Sequence, residues 1–359
     1  MQYRRGMTNI VLFGGSSDER HVSVASAQNI ARTLGNPLCW FWASYGAIYD
    51  VSVEQLLAHQ RPFEIDFDPK RPAIWPDLEQ ALDTLPVDDP VFVLALHGGS
   101  GEDGTVQKIM EERGIAFTGS GSRASAAAFD KGRAKEVVKS KVKIAESRIV
   151  GVSDPDTIRS TVETMLEHHS RIVLKPLAAG SSRGLFFLSR GDKTDDVIRQ
   201  VAKLKIPYII EQFIKGRELT CGIADMGDGP KPLPPIEIEV DPGREFDYQG
   251  KYLGKGTREI CPANIPNEAT RAAQQTALNA HIALGCEGYS RTDIMFAADG
   301  MYYLETNTLP GLTTSSLVPQ ELKVQGTEFR QFLDKQVDLA RKRAGASRPT
   351  AGAAVHSAR

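Results

Sequence analysis

Residues 289–308 read YSRTDIMFAADGMYYLETNT, two alternating apolar and polar runs around the turn signal Asp299-Gly300. Side chains alternate across a strand. Arg291, Asp293 and Met295 therefore share one face of the first run, and Glu305 and Asn307 share one face of the second. Two carboxylates and a carboxamide oxygen facing one another form a hard-oxygen set of the kind Mg²⁺ takes together with waters and substrate phosphates. The same pattern also describes a solvated sheet face carrying an ion pair. The continuation TLPGLTTSS at 308–316 favours the first reading, because a rigid Pro-Gly turn and a hydroxyl cluster directly follow the acids, as in a substrate-binding loop.

Register makes that reading testable. A two-residue turn at Asp299-Gly300 would pair Ala298 with Met301 and set Asp293 opposite Thr306, which sends Glu305 and Asn307 to the other face. Adding Ala298 to the loop pairs Ala297 with Met301 instead, and Asp293 then faces Glu305 while Arg291 faces Asn307. The expectation is a three-residue connection, Ala298-Asp299-Gly300, with Gly300 at positive φ in a G1 bulge.

Upstream, the first third alternates strands and helices. Asn9–Phe13 and Val91–Leu96 are apolar runs that each break into glycines before a helical pattern. The helices expected are Ser23–Leu34, closed by Gly35, and Thr105–Arg113, closed by Gly114. This predicts a parallel α/β sheet whose ligands gather at the carboxyl ends of its strands. The middle section reads as a small α+β lobe, with a helix over 124–140, strands at 171–176, 185–189 and 208–213, and a helix at 195–205. Strands at 218–225 and 235–240, a glycine-containing loop at 242–256, a helix at 267–284 and the hairpin follow. The tail after Arg343 lacks periodicity and reads as disordered. Domains are expected at 1–123, 124–216 and 217–345, with a tail at 346–359.

Bulk properties narrow the class. The 359 residues suit two or three domains, and 41% hydrophobic with 25% charged content is that of a soluble globular protein. A net charge of -2 argues against a nucleic-acid binder. No apolar run approaches the ~20 residues that span a bilayer, so a cytoplasmic enzyme without membrane partners is expected. The four cysteines form no C-x-x-C pair, which leaves no disulfide framework or structural zinc site to expect.

Other segments carry chemistry. Lys175 precedes the loop LAAGSSRG at 177–184, where small residues could bring backbone N–H groups and a lysine to a phosphate, or merely close a hairpin. Neither a Walker A loop nor a GxGxxG at the first strand is present. In YIIEQFIKGRE at 208–218, Glu211 and Glu218 read either as acceptors for an adenine amino group and a ribose, or as exposed charges. Glu19, at a helix start, reads either as a cap or as a carboxylate free to hold a substrate ammonium, whereas capping is preferred for Asp18, Glu102 and Asp103. His97 stands at a strand's carboxyl end.

Taken in order, VLFGGSSDERHVS, LHGGSGEDGTVQ, GIAFTGSGSRASAAAFDK, LKPLAAGSSRG, EQFIKGRE, FDYQGKYL, GYSRTDIMF and LETNTLPGLTTSSLVP resemble the D-alanine–D-alanine ligases, a branch of the ATP-grasp superfamily. The similarity runs from about Asn9 to Pro319. It implies an ATP-grasp fold with an N-terminal Rossmann-like (pre-ATP-grasp) domain, and ATP-dependent joining of two D-alanines through a D-alanyl phosphate. The alternatives weighed are a related ligase with another donor or acceptor, as in secondary metabolism, and an inactive nucleotide-binding homologue. By the resemblance, Lys131 and Lys175 hold ATP phosphates, and Glu211, Phe213, Ile214 and Glu218 contact adenine and ribose. Asp293, Glu305 and Asn307 carry two Mg²⁺ ions, for which Mn²⁺ can substitute. Glu19 binds the first ammonium, with Ser181 and Tyr252 as a latch across a closing lid and His97 close by. Lys251 approaches the γ-phosphate, Arg291 and the Gly311 N–H stabilise the oxyanion, and Ser316 with Leu317 receive the second amino acid. A homodimer is also implied. His21, Phe129 and Arg183 depart from the family pattern.

If Tyr252 latches the lid, Tyr252→Phe should depress turnover while leaving ATP affinity intact. Steady-state kinetics and nucleotide titration check this, and wild-type turnover in the variant would remove the latch.

Overall fold

The computed structural model describes residues 8–152, 154–178, 184–240 and 257–347. Ser181, Arg183, Lys251, Tyr252, the expected lid at 242–256 and residues 348–359 lie outside them.

The first sheet comprises β1 (Thr8–Gly14), β2 (Leu38–Trp42), β3 (Ile48–Val51), β4 (Pro90–Leu94) and β5 (Ala116–Phe117), in the order β3-β2-β1-β4-β5. β1 runs parallel to β2 and β4, and β4 parallel to β5, while β3 is antiparallel at the edge. Ile10 to Phe13 and Val91 to Leu94 are buried on both faces, which is why they read as unbroken apolar runs. The chain leaves β1 toward β2 and leaves β4 toward β5, so the carboxyl ends of β1 and β4 flank the crevice where such sheets bind ligands. At the end of β1, Gly14 sits at φ +99, and a Cβ there would collide with the Trp42 carbonyl. Its N–H donates to Ser23 Oγ at 2.7 Å, anchoring the turn to the helix Arg20–Leu34.

Next come β6 (Lys143–Ile144), β7 (Ser147–Val150), β8 (Arg171–Pro176), β9 (Phe186–Ser189) and β10 (Tyr208–Gln212). The last four form an antiparallel sheet, β7-β10-β8-β9. The third sheet joins β11 (Gly216–Asp225), β13 (Ile236–Val240), β14 (Thr257–Ile260), β15 (Tyr289–Ala297) and β16 (Gly300–Asn307) in the order β14-β13-β11-β15-β16-β6, with β12 (Pro230–Pro232) beside β11.

Three expectations need correction. The helix foreseen over 124–140 is two, Ser122–Phe129 and Lys131–Val138. Asp130 leaves helical geometry (φ -86, ψ 108) to accept the Arg133 N–H, capping the second helix and setting Lys131 at its first turn. These helices pack through Ala127, Ala128, Ala134 and Val138 on Ala280, Leu284 and Tyr303, elements of the third sheet's layer rather than of the middle lobe. The final helix, Phe329–Ser347, outlasts the periodicity that faded after Arg343. Its Phe332, Leu333, Val337 and Ala340 enter the core of the first sheet beside Leu309, Leu312 and Val318.

The third correction concerns the hairpin. Asp293 does pair with Glu305 and Arg291 with Asn307. The connection is nevertheless not the three-residue loop: Ala297 pairs with Gly300, leaving Ala298-Asp299 as the turn, with Gly300 at φ +132. The register shifts between Asp293 and Ile294, whose partners are Glu305 and Tyr303, so Leu304 is the extra residue. The bulge lies in the strand beside the acids, where it restores the shared face that the even turn alone would lose.

Among the described residues no helix is long and apolar enough to cross a membrane. The helix Asn267–Leu284 buries an alanine stripe (Ala269, Ala273, Ala277, Ala280) and His281 against the sheet. Burial lowers His281 to about 4, and a weaker pull from Asp225 opposes it. Its Nδ1 lies 2.7 Å from Ser290 Oγ. The unfolded chain therefore binds a proton that the folded one refuses, so stability falls as pH drops from about 6.5 toward 4, by up to about 3 kcal/mol. Melting curves of His281→Gln should show that slope flattened in this window; curves parallel to wild type would exclude His281 as its source.

Candidate active site

The crevice at the ends of β1 and β4 collects the first group of side chains. Glu19 takes the N-cap position of the helix Arg20–Leu34 in place of Asp18, but its side chain makes no capping bond. A Cβ on Gly98, at φ +64, would stand 2.8 Å from Glu19 Oε2, so the carboxylate lies against the glycine turn that follows His97. Ser17 ties the two segments, accepting from the Glu19 N–H at 3.1 Å and donating to the His97 carbonyl. Asp103 receives the Thr105 N–H as the sequence suggests, whereas Glu102 turns inward to within 3.8 Å of His97 Nδ1. Burial raises the Glu102 carboxyl, with Glu19 adding to the rise and His97 opposing it. His21 pairs with Asp66 beside Arg20, away from this cluster.

The second group lies on one face of the third sheet. Asp293 and Glu305 are opposed across β15 and β16. Both Asp293 oxygens accept from the Arg291 guanidinium at 3.0 Å, and Thr220 Oγ1 donates to Oδ1 at 2.7 Å. Asn307 Oδ1 accepts the Leu309 N–H at 2.9 Å, which holds its oxygen at the strand end. Among the described residues no three His, Cys, Asp or Glu side chains cluster for a metal; this set offers two carboxylates and a carboxamide, a donor chemistry that fits Mg²⁺ with phosphate and water completing the shell.

A third group supplies cations. Lys131 Nζ is 3.2 Å from Glu305, joining the lysines to the acidic face. Glu211, 1% exposed on β10, lies 2.9 Å from Lys175 Nζ and 3.1 Å from Lys135 Nζ. Burial alone would lower Lys175, but Glu211 outweighs it and keeps the ammonium charged. For Lys135 burial wins and its affinity for a proton falls. Burial would raise Glu211, yet the two lysines hold it below the usual carboxylate range. The Lys135 contact is not aligned as a hydrogen bond, and its buried Nζ has no hydrogen-bond partner among the described residues. A buried donor in this position fits an anion such as phosphate.

The remaining candidates frame these groups. Phe213 packs on Phe187 and the Arg171 guanidinium, and Ile214 is buried with Ala145 and Tyr302. Glu218 shares the Asp293 face of β11 and acts electrostatically on Lys175. A Cβ at Gly311 would stand 2.6 Å from Ser316 Oγ, so a side chain there would displace that hydroxyl. Ser316 is the N-cap of the helix Leu317–Gln325, and its Oγ accepts the Thr313 N–H at 3.1 Å. The Leu317 side chain packs on Ile236 and Ile238, which leaves its backbone N–H at the helix start as its polar contribution. Sequence reasoning missed Lys135, Thr220 and Glu321. The first sits four residues after Lys131 on the same helix face, a spacing that could have flagged it. Glu321, fully buried, accepts the Gly222 N–H at 2.9 Å, and burial raises its carboxyl well above the usual range, with the Gly222 N–H and Arg291 opposing.

Comparison with known proteins bears on this arrangement. Family models described as D-ala D-ala ligase N-terminus and C-terminus match residues 8–120 and 143–338. The D-alanine--D-alanine ligase of Leptospira interrogans serovar Lai is 32% identical over 352 residues, covering 93% of this chain and 98% of its own. That of Syntrophobacter fumaroxidans is 33% identical over 337 residues, covering 93% and 97%. Among solved structures, the VanG D-Ala:D-Ser ligase of Enterococcus faecalis superposes with TM-score 0.77 at 28% identity, covering 94% of this chain and 100% of that one. The D-alanine-D-alanine ligase of Coxiella burnetii does so with TM-score 0.76 at 23% identity, covering 95% and 97%, a likeness of fold.

The lysine cluster makes an energetic prediction. Glu211→Gln strands two ammonium groups and should cost about 3–5 kcal/mol, whereas Lys135→Met leaves the Lys175 pair intact and should be near neutral. Urea unfolding of both variants checks this; equal losses would mean that the Lys135 contact holds the fold as firmly as the Lys175 pair.

Proposed function

The chain belongs to the D-alanine–D-alanine ligase family, and from that premise we propose that it joins two D-alanines at the expense of ATP, making D-alanyl-D-alanine for peptidoglycan. The observation that carries this reading is how these groups neighbour one another. Lys175 and Lys135 pair with Glu211 and feel Glu305 electrostatically, Lys131 pairs with Glu305, and Glu305 lies opposite Asp293 with its Arg291. Asn307 then holds the Leu309 N–H, the Leu309 carbonyl meets His97, and Ser17 ties His97 to Glu19. A binding module has no need of cations for phosphate, oxygen donors for a metal and an oxyanion partner side by side.

In this reading Glu19 holds the ammonium of the first amino acid, so its carboxylate points toward the lysines. That carboxylate oxygen attacks the γ-phosphorus of ATP, a P–O bond forms as the bond to ADP breaks, and an acyl phosphate results. Lys131 and Lys175 neutralise charge on the transferring phosphate, and we add Lys135, whose buried nitrogen shares Glu211 as an ion-pair partner but makes no aligned hydrogen bond. Glu211 and Glu218, with Phe213 and Ile214 beside them, bind adenine and ribose. Asp293, Glu305 and Asn307 would hold Mg²⁺, or Mn²⁺ in its place, which supplies further neutralisation of phosphate charge. The second amino acid, received at Ser316 and Leu317, then attacks the acyl carbon through its amine. Arg291 and the Gly311 N–H meet the oxygen that becomes negative, and collapse of the tetrahedral species expels phosphate and leaves the amide. Ser181, Lys251 and Tyr252 belong to the same proposal as closing and phosphate-facing groups that exclude water from the acyl phosphate.

ATP-dependent phosphate release should require D-alanine, with product D-alanyl-D-alanine. Substrates differing by one methylene should be disfavoured by only about 10–200-fold. A panel of D- and L-amino acids, D-serine and D-lactate checks this. Preference for D-serine or D-lactate as acceptor would move the chain to a different ligase, and phosphate release independent of any amino acid would sink the ligase reading.

A further inference from the structure

The loop that follows β16 carries Gly311, yet three of the side chains that hold it come from the first sheet's helix Arg20–Leu34 and from the turn after β4. Asn29 Nδ2 donates to the Leu312 carbonyl at 2.8 Å, and the Leu312 N–H donates to Ser26 Oγ at 3.2 Å. His97 Nδ1 lies 2.9 Å from the Leu309 carbonyl, and its Nε2 lies 3.0 Å from Ser26 Oγ. A carbonyl only accepts, so Nδ1 carries the proton toward Leu309, and in the tautomer with the proton on Nδ1 alone Nε2 is the acceptor for the Ser26 hydroxyl. Ser26 thus donates to the histidine and accepts from the loop. Ser26 and Asn29, three residues apart on one helix face, and His97 beyond β4 are all at least nine-tenths buried. Together they grip the peptide groups on both sides of Pro310-Gly311.

We propose that Ser26 and Asn29 are positioning residues that set the Gly311 N–H for the oxyanion, with His97 locking the Ser26 hydroxyl. The proposal rests on the reading of Gly311 given above and extends it: the donor that meets the tetrahedral oxygen is aligned by the domain that binds the first amino acid. A backbone N–H stabilises an oxyanion only when it is preorganised within a fraction of an ångström, and a shift of about 1 Å costs on the order of 100-fold in rate. Backbone held by three buried side chains meets that demand; a free loop does not.

The test uses the full-length enzyme with Ser26→Ala, which removes both bonds of the hydroxyl, and the isosteric Asn29→Asp, which removes the donor to Leu312. Both should speed amide exchange across 309–313, lower kcat by roughly 10–100-fold and leave the KM for ATP unchanged. Binding of a phosphinate dipeptide, which mimics the tetrahedral species, should weaken by more than binding of the first amino acid. Faster exchange with wild-type kcat would overturn the proposal, as would a loss of kcat without faster exchange, or a loss shared equally by the KM for ATP. The wild-type enzyme separates this from the underlying reading. If it binds the phosphinate no better than the dipeptide product, the oxyanion role of Gly311 fails whatever the variants do.

Discussion

Parity along a β-strand is unforgiving: one residue more or less turns every later side chain to the opposite face. In this protein the whole acidic face depends on Leu304. With Ala297 paired to Gly300, the hairpin begins in a register that would put Asp293 beside Leu304 and send Glu305 away. The shift between Asp293 and Ile294 inserts Leu304 without a partner, and from there to the strand end Asp293 meets Glu305 and Arg291 meets Asn307. A bulge disrupts the ladder locally and leaves a residue unpaired, so it persists where something depends on it. Here it lies beside the carboxylates that it aligns.

Charge is the second constraint. Lys131, Lys135 and Lys175 converge on Glu211 and Glu305 in a region where burial penalises every ion. Burial lowers Lys135 despite Glu211 and Glu305, whereas Lys175 gains enough from Glu211, Glu305 and Glu218 to be raised. The better-paired lysine stays charged, and the one without an aligned hydrogen bond loses proton affinity. In the proposed reaction an incoming polyphosphate would give Lys135 the aligned acceptor that Glu211 does not. On the same sheet face Arg291 is already spent on Asp293, so the groups that serve the reaction also hold one another in place beforehand.

Much of this was legible in the sequence because it depends on local pattern. Apolar runs ending in glycine located β1 and β4, the helix expected at 267–284 is Asn267–Leu284, and strand alternation put Arg291 with Asp293 and Glu305 with Asn307. The same logic required an extra residue somewhere between Asp293 and Glu305. It could not say where, because a loop and an in-strand bulge restore parity equally. Other features were hidden for physical reasons. The break at Asp130 depends on a side chain competing for a backbone N–H inside a continuous helical pattern. Glu102 looked like a cap because nothing local says that it turns toward His97 and Glu19. Ser26 and Asn29 touch residues more than 280 positions away, and a helix pattern records only that their face is buried.

The two halves of the site proposed above, for amino acid and for nucleotide, are consequently built by different means. On the amino-acid side, Leu309, Leu312 and Val318 sit in one apolar core with β1, β4 and the final helix, and buried neutral hydrogen bonds set the backbone between them. That half is close-packed without any ligand, and close-packed interiors transmit strain rather than absorb it. On the nucleotide side the organising groups are ions, and Lys135 makes no aligned hydrogen bond to its partner Glu211. Such a site gains its full definition only with its anionic ligand, since attraction between charges strengthens as water is expelled. The division suits a reaction in two stages. Phosphate must arrive, react and leave, which favours groups held by charge that can re-pair with one another, as Lys175 does with Glu211. The acyl carbon must meet its oxyanion donors in one geometry, which favours backbone held by packing.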